Sequence, residues 1–98
     1  TIATSLGAKQ VATTAFEWSK KRTVKRHICD DSQAMSGVKS LLDAFNVLVE
    51  PACGAALSAV YSPKTDIGEA KSILVIVCGG AGLDTEGYIQ HLKTFGLL

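Results

Sequence analysis

The chain has 98 residues, 47% of them apolar and 19% charged, with a formal net charge of +1. That length allows one small domain with a modest core, since a chain of this size buries only about two-thirds of its unfolded surface. The near-neutral balance provides no field to recruit nucleic acid or an anionic membrane, and the apolar content excludes a disordered class.

The uncharged apolar runs are far shorter than the roughly 20 residues of a membrane helix, and the first residues lack a signal-peptide pattern. A soluble, cytoplasmic protein is expected. Cys29, Cys53 and Cys78 stand in apolar surroundings without metal-ligand spacing, as reduced thiols would. The start at Thr1, without a methionine and in what reads as the body of a helix, has the pattern of a segment or a processed product.

In chain order, Ile2 to Leu6 reads as a helix end stopped by Gly7, and Ala8 to Ala12 as a short strand around Val11. Thr13 to Lys21 predicts a helix with Ala15, Phe16 and Trp18 inward and Glu17 and Lys20 outward. Lys20, Lys21, Arg22, Lys25 and Arg26 follow as a basic cluster. It suits the solvated end of a helix better than a phosphate site, because no aromatic residues interleave it for base stacking.

Val24 to Cys29 is a second strand candidate, and Asp30-Asp31-Ser32 a cap cluster. Ala34, Met35, Val38, Leu41, Leu42 and Phe45 then recur at the helical period and predict one core-facing stripe. His27 and His91 have no partner at ligand spacing and read as surface or packing histidines. Val47 to Val49 predicts a short strand.

Glu50-Pro51 opens a helix, because proline suits the first turn and a carboxylate its positive end. That helix, Ala52 to Tyr61, is small and apolar on all sides and must pack closely on its neighbours, with Cys53 as a small buried hydrophobe. Ser62 to Ala70, containing Pro63, Asp66 and Gly68, reads as an exposed loop.

Ile73-Leu-Val-Ile-Val-Cys-Gly-Gly80 is the most strand-like stretch, apolar on both alternating faces and therefore expected to be covered on both. Cys78 falls at its carboxyl end, where open α/β sheets place ligands, and Gly79 and Gly80 let a flat ligand approach the backbone. Asp84 caps a last helix with Tyr88, Ile89, Leu92 and Phe95 on its apolar face, stopped by Gly96. The order is βαβαβα-like and predicts an α/β fold, a mostly parallel sheet with flanking helices and right-handed crossovers.

Two blocks, Val47-Leu-Val-Glu-Pro-Ala-Cys-Gly-Ala-Ala-Leu-Ser-Ala-Val-Tyr-Ser62 and Ile73 to Gly80, resemble the C-terminal third of the L-serine dehydratases, or serine ammonia-lyases. These are pyridoxal-phosphate enzymes of fold type II, the tryptophan-synthase β-like fold. Ile2-Ala-Thr-Ser-Leu-Gly-Ala8 and Asp31-Ser-Gln-Ala34 resemble the same family, so the likeness spans nearly the whole chain, which it makes one partial domain over residues 1–98.

The resemblance implies pyridoxal 5'-phosphate as cofactor, bound here through Cys78 and Gly79, and elimination of L-serine to pyruvate or L-threonine to 2-oxobutyrate, with ammonia. It implies that Cys78 lies against the pyridine nitrogen. A thiol there is a neutral, weak hydrogen-bonding group, unlike the aspartate of other pyridoxal enzymes, and suits a carbanion relieved at once by a departing hydroxyl. Carbonyls of Leu6 and Ala8 are implied ligands of a monovalent cation, typically potassium. A homodimer is implied for the complete enzyme, with no nucleic acid or membrane partner.

The departures bear on activity. The Schiff-base lysine motif and the glycine-rich phosphate loop belong to the family's earlier two-thirds, and none of Lys9, Lys20, Lys21, Lys39, Lys64, Lys71 or Lys93 stands in that motif. Ala81-Gly82 replaces the polar pair that usually follows the two glycines, and the Ser62 to Lys71 loop is short. A chain inactive alone is therefore expected.

A second reading makes the chain a non-catalytic binding or assembly module, because so short a chain can hardly cover the apolar helix Ala52 to Tyr61. A third, an anion site at the Gly79-Gly80 turn, lacks both the P-loop lysine and the G-x-G-x-x-G spacing.

Overall fold

The computed structural model describes residues 1–62 and 67–98. A 3-10 turn at Thr4–Leu6 is followed by four helices, α1 (Thr13–Lys21), α2 (Asp31–Phe45), α3 (Pro51–Tyr61) and α4 (Thr85–Thr94). Helices α2, α3 and α4 begin or end on chemistry that the sequence displays. Asp30 and Gln33 form a capping box on α2: the Asp30 carboxylate accepts from Gln33 N–H at 2.7 Å, and the Gln33 side chain accepts from Asp30 N–H at 2.9 Å. Asn46 ends α2 in the left-handed region, at φ 57°.

Pro51 opens α3, and Asp84 caps α4 by accepting from Gly87 N–H at 2.8 Å. At the end of α4, Gly96 at φ 65° lets Leu97 N–H reach Leu92 O and Gly96 N–H reach Lys93 O, the paired bonds of a Schellman motif.

The core lies where α2, α3 and α4 meet. Met35, Val38, Leu41, Val49, Cys53, Leu57, Tyr88 and Leu92 are buried together, with Ile2, Leu48, Val75 and Phe95 packed against them. Gly37 and Gly54 allow α2 and α3 to cross at backbone contact. A Cβ on Gly54 would sit 2.1 Å from Ala34 O and 2.6 Å from Val38 Cγ2, and one on Gly37 would sit 2.4 Å from Gly54 O. This is the close packing expected of an all-round apolar helix.

Ser58 is the buried polar group of that helix. Its hydroxyl donates to Ala55 O at 2.7 Å, so the His27 Nε2 at 2.9 Å must be the donor to Ser58 Oγ. His27 thus ties the extended stretch before α2 to α3.

The predicted sheet is not formed: among the described residues there is no β-strand. Segments 8–12, 24–29, 47–49 and 73–80 lack helical structure, but a sheet needs neighbours bonded in register along their length. The 47–50 and 77–80 segments meet at one end, where Glu50 N–H donates to Gly79 O at 3.0 Å. The apolar side chains expected to be covered on both faces therefore face solvent: Ile28 is 92% exposed, Leu74 87% and Ile76 67%, while Val75 alone of the Ile73 stretch packs on the core.

Three helix faces also differ from the expected stripes. No residue of α1 is buried; Phe16 and Trp18 are exposed, with Lys20 Nζ 4.4 Å from the Phe16 ring and the Arg22 guanidinium 5.4 Å from the Trp18 ring. Phe45 is exposed in the last turn of α2, and Ile89 is exposed on α4. Of the predicted Ser62 to Ala70 loop, residues 63–66 lie outside the described residues and residues 67–70 are exposed.

The N-terminal stretch is fixed to the start of α2. Thr1 Oγ1 and Ile2 N–H both donate to the Asp31 carboxylate, and the Thr1 bond above all holds that carboxyl below its ordinary 3.8. The ionised form is the one favoured by folding, so this attachment is present above pH 3.8 and is lost as pH falls through the lower, folded value. The Ile2 amide resonance should titrate with a midpoint below pH 3.8; a midpoint at or above it would remove the assigned bond. In the core, Gly54→Ala should cost about 3 kcal/mol by overpacking, read as a lower urea midpoint at unchanged slope, whereas a change under about 0.5 kcal/mol would mean that the helices can separate cheaply.

Candidate functional site

The end of the Ile73 stretch is positioned by the first turn of α3. Glu50, the residue before Pro51, makes contact in two directions. Its backbone N–H donates to Gly79 O at 3.0 Å, and its carboxylate accepts from Ser5 Oγ at 2.9 Å. The expected role of that carboxylate was to face the positive end of α3; it makes no capping bond and instead joins α3 to the 3-10 turn.

Glycines line this junction because the backbones run close. A Cβ at Gly80 would lie 2.5 Å from Leu48 O, and one at Gly82 would lie 2.7 Å from Glu50 Oε2. The unusual Ala81-Gly82 pair is thus explained in part: Gly82 leaves room for the Glu50 carboxylate. Gly79 differs. Its φ of 124° is accessible to glycine, and no atom lies within 4 Å of where a Cβ would be, so its side faces open space.

Cys78, the residue before Gly79, is exposed and interacts with Cys53 in the first turn of α3. Its thiol is pushed above the ordinary 9.0, first by desolvation, then by a hydrogen bond and charge interaction with Cys53 and by the nearby Glu50 carboxylate. At neutral pH the group is an uncharged thiol, able to give or take one weak hydrogen bond and poorly suited to act as a nucleophile. Cys53 is fully buried, as a small core hydrophobe.

Leu6 and Ala8 are exposed around the 3-10 turn, where Leu6 N–H donates to Ala3 O and Gly7 N–H to Thr4 O. The turn rests on α3, with Leu6, Ile28, Ala52 and Ala55 around an open cleft of about 420 Å³. The two sets of predicted site residues therefore stand at the same end of α3, bridged by Ser5 and Glu50. Among the described residues no cluster of three or more histidine, cysteine or acidic side chains could hold a metal.

Sequence reasoning missed the bridging part of Glu50 and the contact of Cys78 with Cys53. Glu-Pro is readable as a helix start, but no spacing signals that its carboxylate reaches residue 5 or that residues 53 and 78 adjoin. His27 and His91 behave as expected of packing residues: His27 bonds Ser58, and the half-buried His91 lies 6.4 Å from the Phe95 ring. A wide cleft of about 960 Å³ lies away from Cys78, between the extended stretches of Val24, His27 and Ile28 and of Ile67, Ile73 and Leu74. Its walls are those expected of strands without neighbours. No helix among the described residues is long and apolar enough to cross a membrane.

No family model matches the chain. Among curated proteins, the chain is 42% identical over 101 residues to a human protein named serine dehydratase-like, covering 95% of this chain and 30% of that relative. It is 34% identical over 104 residues to the bovine L-serine dehydratase/L-threonine deaminase, covering 98% of this chain and 32% of the relative. A Saccharomyces cerevisiae chain that carries the name of a truncated L-serine dehydratase is 32% identical over 103 residues, which amount to 49% of its length. The chain thus spans less than a third of the first two of these relatives, yet is matched along nearly its whole length, and on that likeness it belongs to the serine dehydratase family.

Proposed function

We propose that the chain forms the C-terminal part, a single partial domain, of a pyridoxal-phosphate-dependent dehydratase of L-serine or L-threonine. In this reading it supplies the wall of the site that faces the pyridine nitrogen. The observation that carries the reading is the Cys78-Gly79 end: a neutral thiol beside a glycine whose side is open, held by Glu50 at the start of α3. Those features fit one edge of a flat aromatic heterocycle. A thiol offers its ring nitrogen a weak hydrogen bond without a charge, and Gly79 keeps side-chain atoms out of the plane.

When bound, the cofactor would supply the electron sink for loss of the β-hydroxyl. The chain's own residues orient and limit. Cys78 leaves the nitrogen without a carboxylate to hold it protonated, and the α3 junction fixes the height of the thiol. Leu6 and Ala8 carbonyls are the proposed cation ligands, on a turn tied through Ser5 to the same Glu50.

The exposed apolar stretches support the same reading. Ile28, Leu74 and Ile76 are the side chains of strands that would gain cover in a parallel sheet completed by the rest of a dehydratase, the α/β fold type II arrangement. In that state the protein would act as a homodimeric, cytoplasmic enzyme. Alone it would be inactive, because the family's Schiff-base lysine and phosphate loop have no counterpart in these residues. The exposed apolar side chains also favour a second reading, a non-catalytic assembly module.

A chimera tests the first reading. In the human serine dehydratase-like relative, the matching 101 residues are replaced by this chain. The chimera should release pyruvate from L-serine, and this chain alone should release none above a blank; a folded, cofactor-loaded chimera with no turnover, or turnover by the chain alone, would refute it. The protonation state of Cys78 is a separate test. Alkylation of the Cys78 peptide, followed by mass spectrometry across pH, should show a midpoint above 9.0. A midpoint below that value would mean a thiolate at the site and a different electrostatic role.

A further inference from the structure

Two extended stretches stand with a gap between them. The cleft of about 960 Å³ has residues 24–28 as one wall and Ile67, Ala70 and Ser72 to Leu74 as the other, and Ala59 of α3 joins its lining. Among the described residues, 26–28 and 72–74 make no backbone hydrogen bond, so each wall keeps the N–H and C=O groups of an unpaired strand. Val24, Ile28, Ile73 and Leu74 are exposed apolar side chains there. Lys25 and Arg26, the ionic side chains of the lining, are both cationic, with His27 beside them.

We propose that this cleft is the seat of one extended polypeptide segment that inserts between the two stretches and bonds to both. The segment comes from the part of a dehydratase outside these residues, so its source rests on the dehydratase reading; its place and chemistry are set by the cleft. A strand spacing of about 4.8 Å, a rise of about 3.4 Å per residue and a layer depth of about 10 Å give each inserted residue about 160 Å³, so the cleft takes about six residues, the length of an ordinary strand. Two such strands side by side would need about twice the volume. The segment carries alternate apolar side chains for the apolar lining and a carboxylate opposite Lys25 and Arg26, where a cation would meet like charge.

A second copy of this chain does not fit the same seat. An inserted segment needs both of its backbone edges free, because each wall bonds to one of them. The most apolar candidate in this chain, 73–78, is held to its own core through Val75, and the Glu50–Gly79 bond fixes the backbone just past its end. Its first residues are also a wall of their own cleft. The human relative is matched over 30% of its length, so most of it remains to supply the segment.

The test titrates the whole 98-residue chain, isotope-labelled, with overlapping peptides that tile the unmatched part of the human relative. Each peptide has about twelve residues, twice the length of a mean strand. The expected result is binding by peptides that share one contiguous segment, with amides of 26–28 and of 72–74 both gaining protection from exchange. Leu74→Pro removes one wall donor at an exposed residue and should weaken binding about tenfold, and Arg26→Glu about fivefold. Circular dichroism of both variants establishes that they are folded. Protection of one wall only, self-association that protects both walls without peptide, affinity unchanged in both variants, or no peptide bound would each overturn the proposal. A chimera without turnover beside a peptide bound to both walls would refute the lyase reading and leave the cleft assignment standing; turnover by the chimera with one wall protected would do the reverse.

Discussion

The structure depends on the close crossing of α2 and α3, where Gly54 lies against Ala34 O and Gly37 against Gly54 O. Neither position has space for even a methyl group. The crossing fixes α3 and so fixes Glu50 at its start, which in turn places Gly79 through one backbone bond and Ser5 through its carboxylate. Cys78 and the Leu6 to Ala8 turn are carried on that frame.

At the candidate site, glycines serve two different purposes. Gly80 and Gly82 are small because other backbone and carboxylate atoms occupy the space beside them. Gly79 has open space and a positive φ, so it presents bare backbone outward next to the thiol. The neutral state of Cys78 follows from its surroundings: desolvation, a second thiol and a nearby carboxylate all oppose a negative charge. A weak, uncharged hydrogen-bonding group is consistent with a partner whose electronics must not be driven to full protonation.

Helix positions and their caps were legible in the residues because they are local: Asp30 with Gln33, Pro51, Asp84 and Gly96 act within a few positions of themselves. The family was legible from the two blocks around Glu-Pro-Ala-Cys-Gly and Val-Cys-Gly-Gly. Burial was less so. Phe16, Trp18, Phe45 and Ile89 fit an inward stripe by period, but period says nothing of whether a neighbour is there to cover it. The same limit applies to the sheet. The unbroken apolar run Ile73 to Val77 encodes a demand for cover on two faces, and a ladder forms only where other strands meet that demand. The Glu50–Ser5 and Cys53–Cys78 contacts bring together residues 45 and 25 positions apart, and no short-range pattern encodes them.

The central claim is that residues 73–78 are an unpartnered strand that a dehydratase body completes. Amide hydrogen exchange reads this directly, because unbonded extended backbone exchanges quickly and a sheet ladder does not. In the isolated chain these amides should exchange rapidly while those of α2 and α3 remain protected, and within the serine dehydratase chimera residues 73–78 should become as slow as the helices. Equal exchange of that stretch in the two settings would contradict the account.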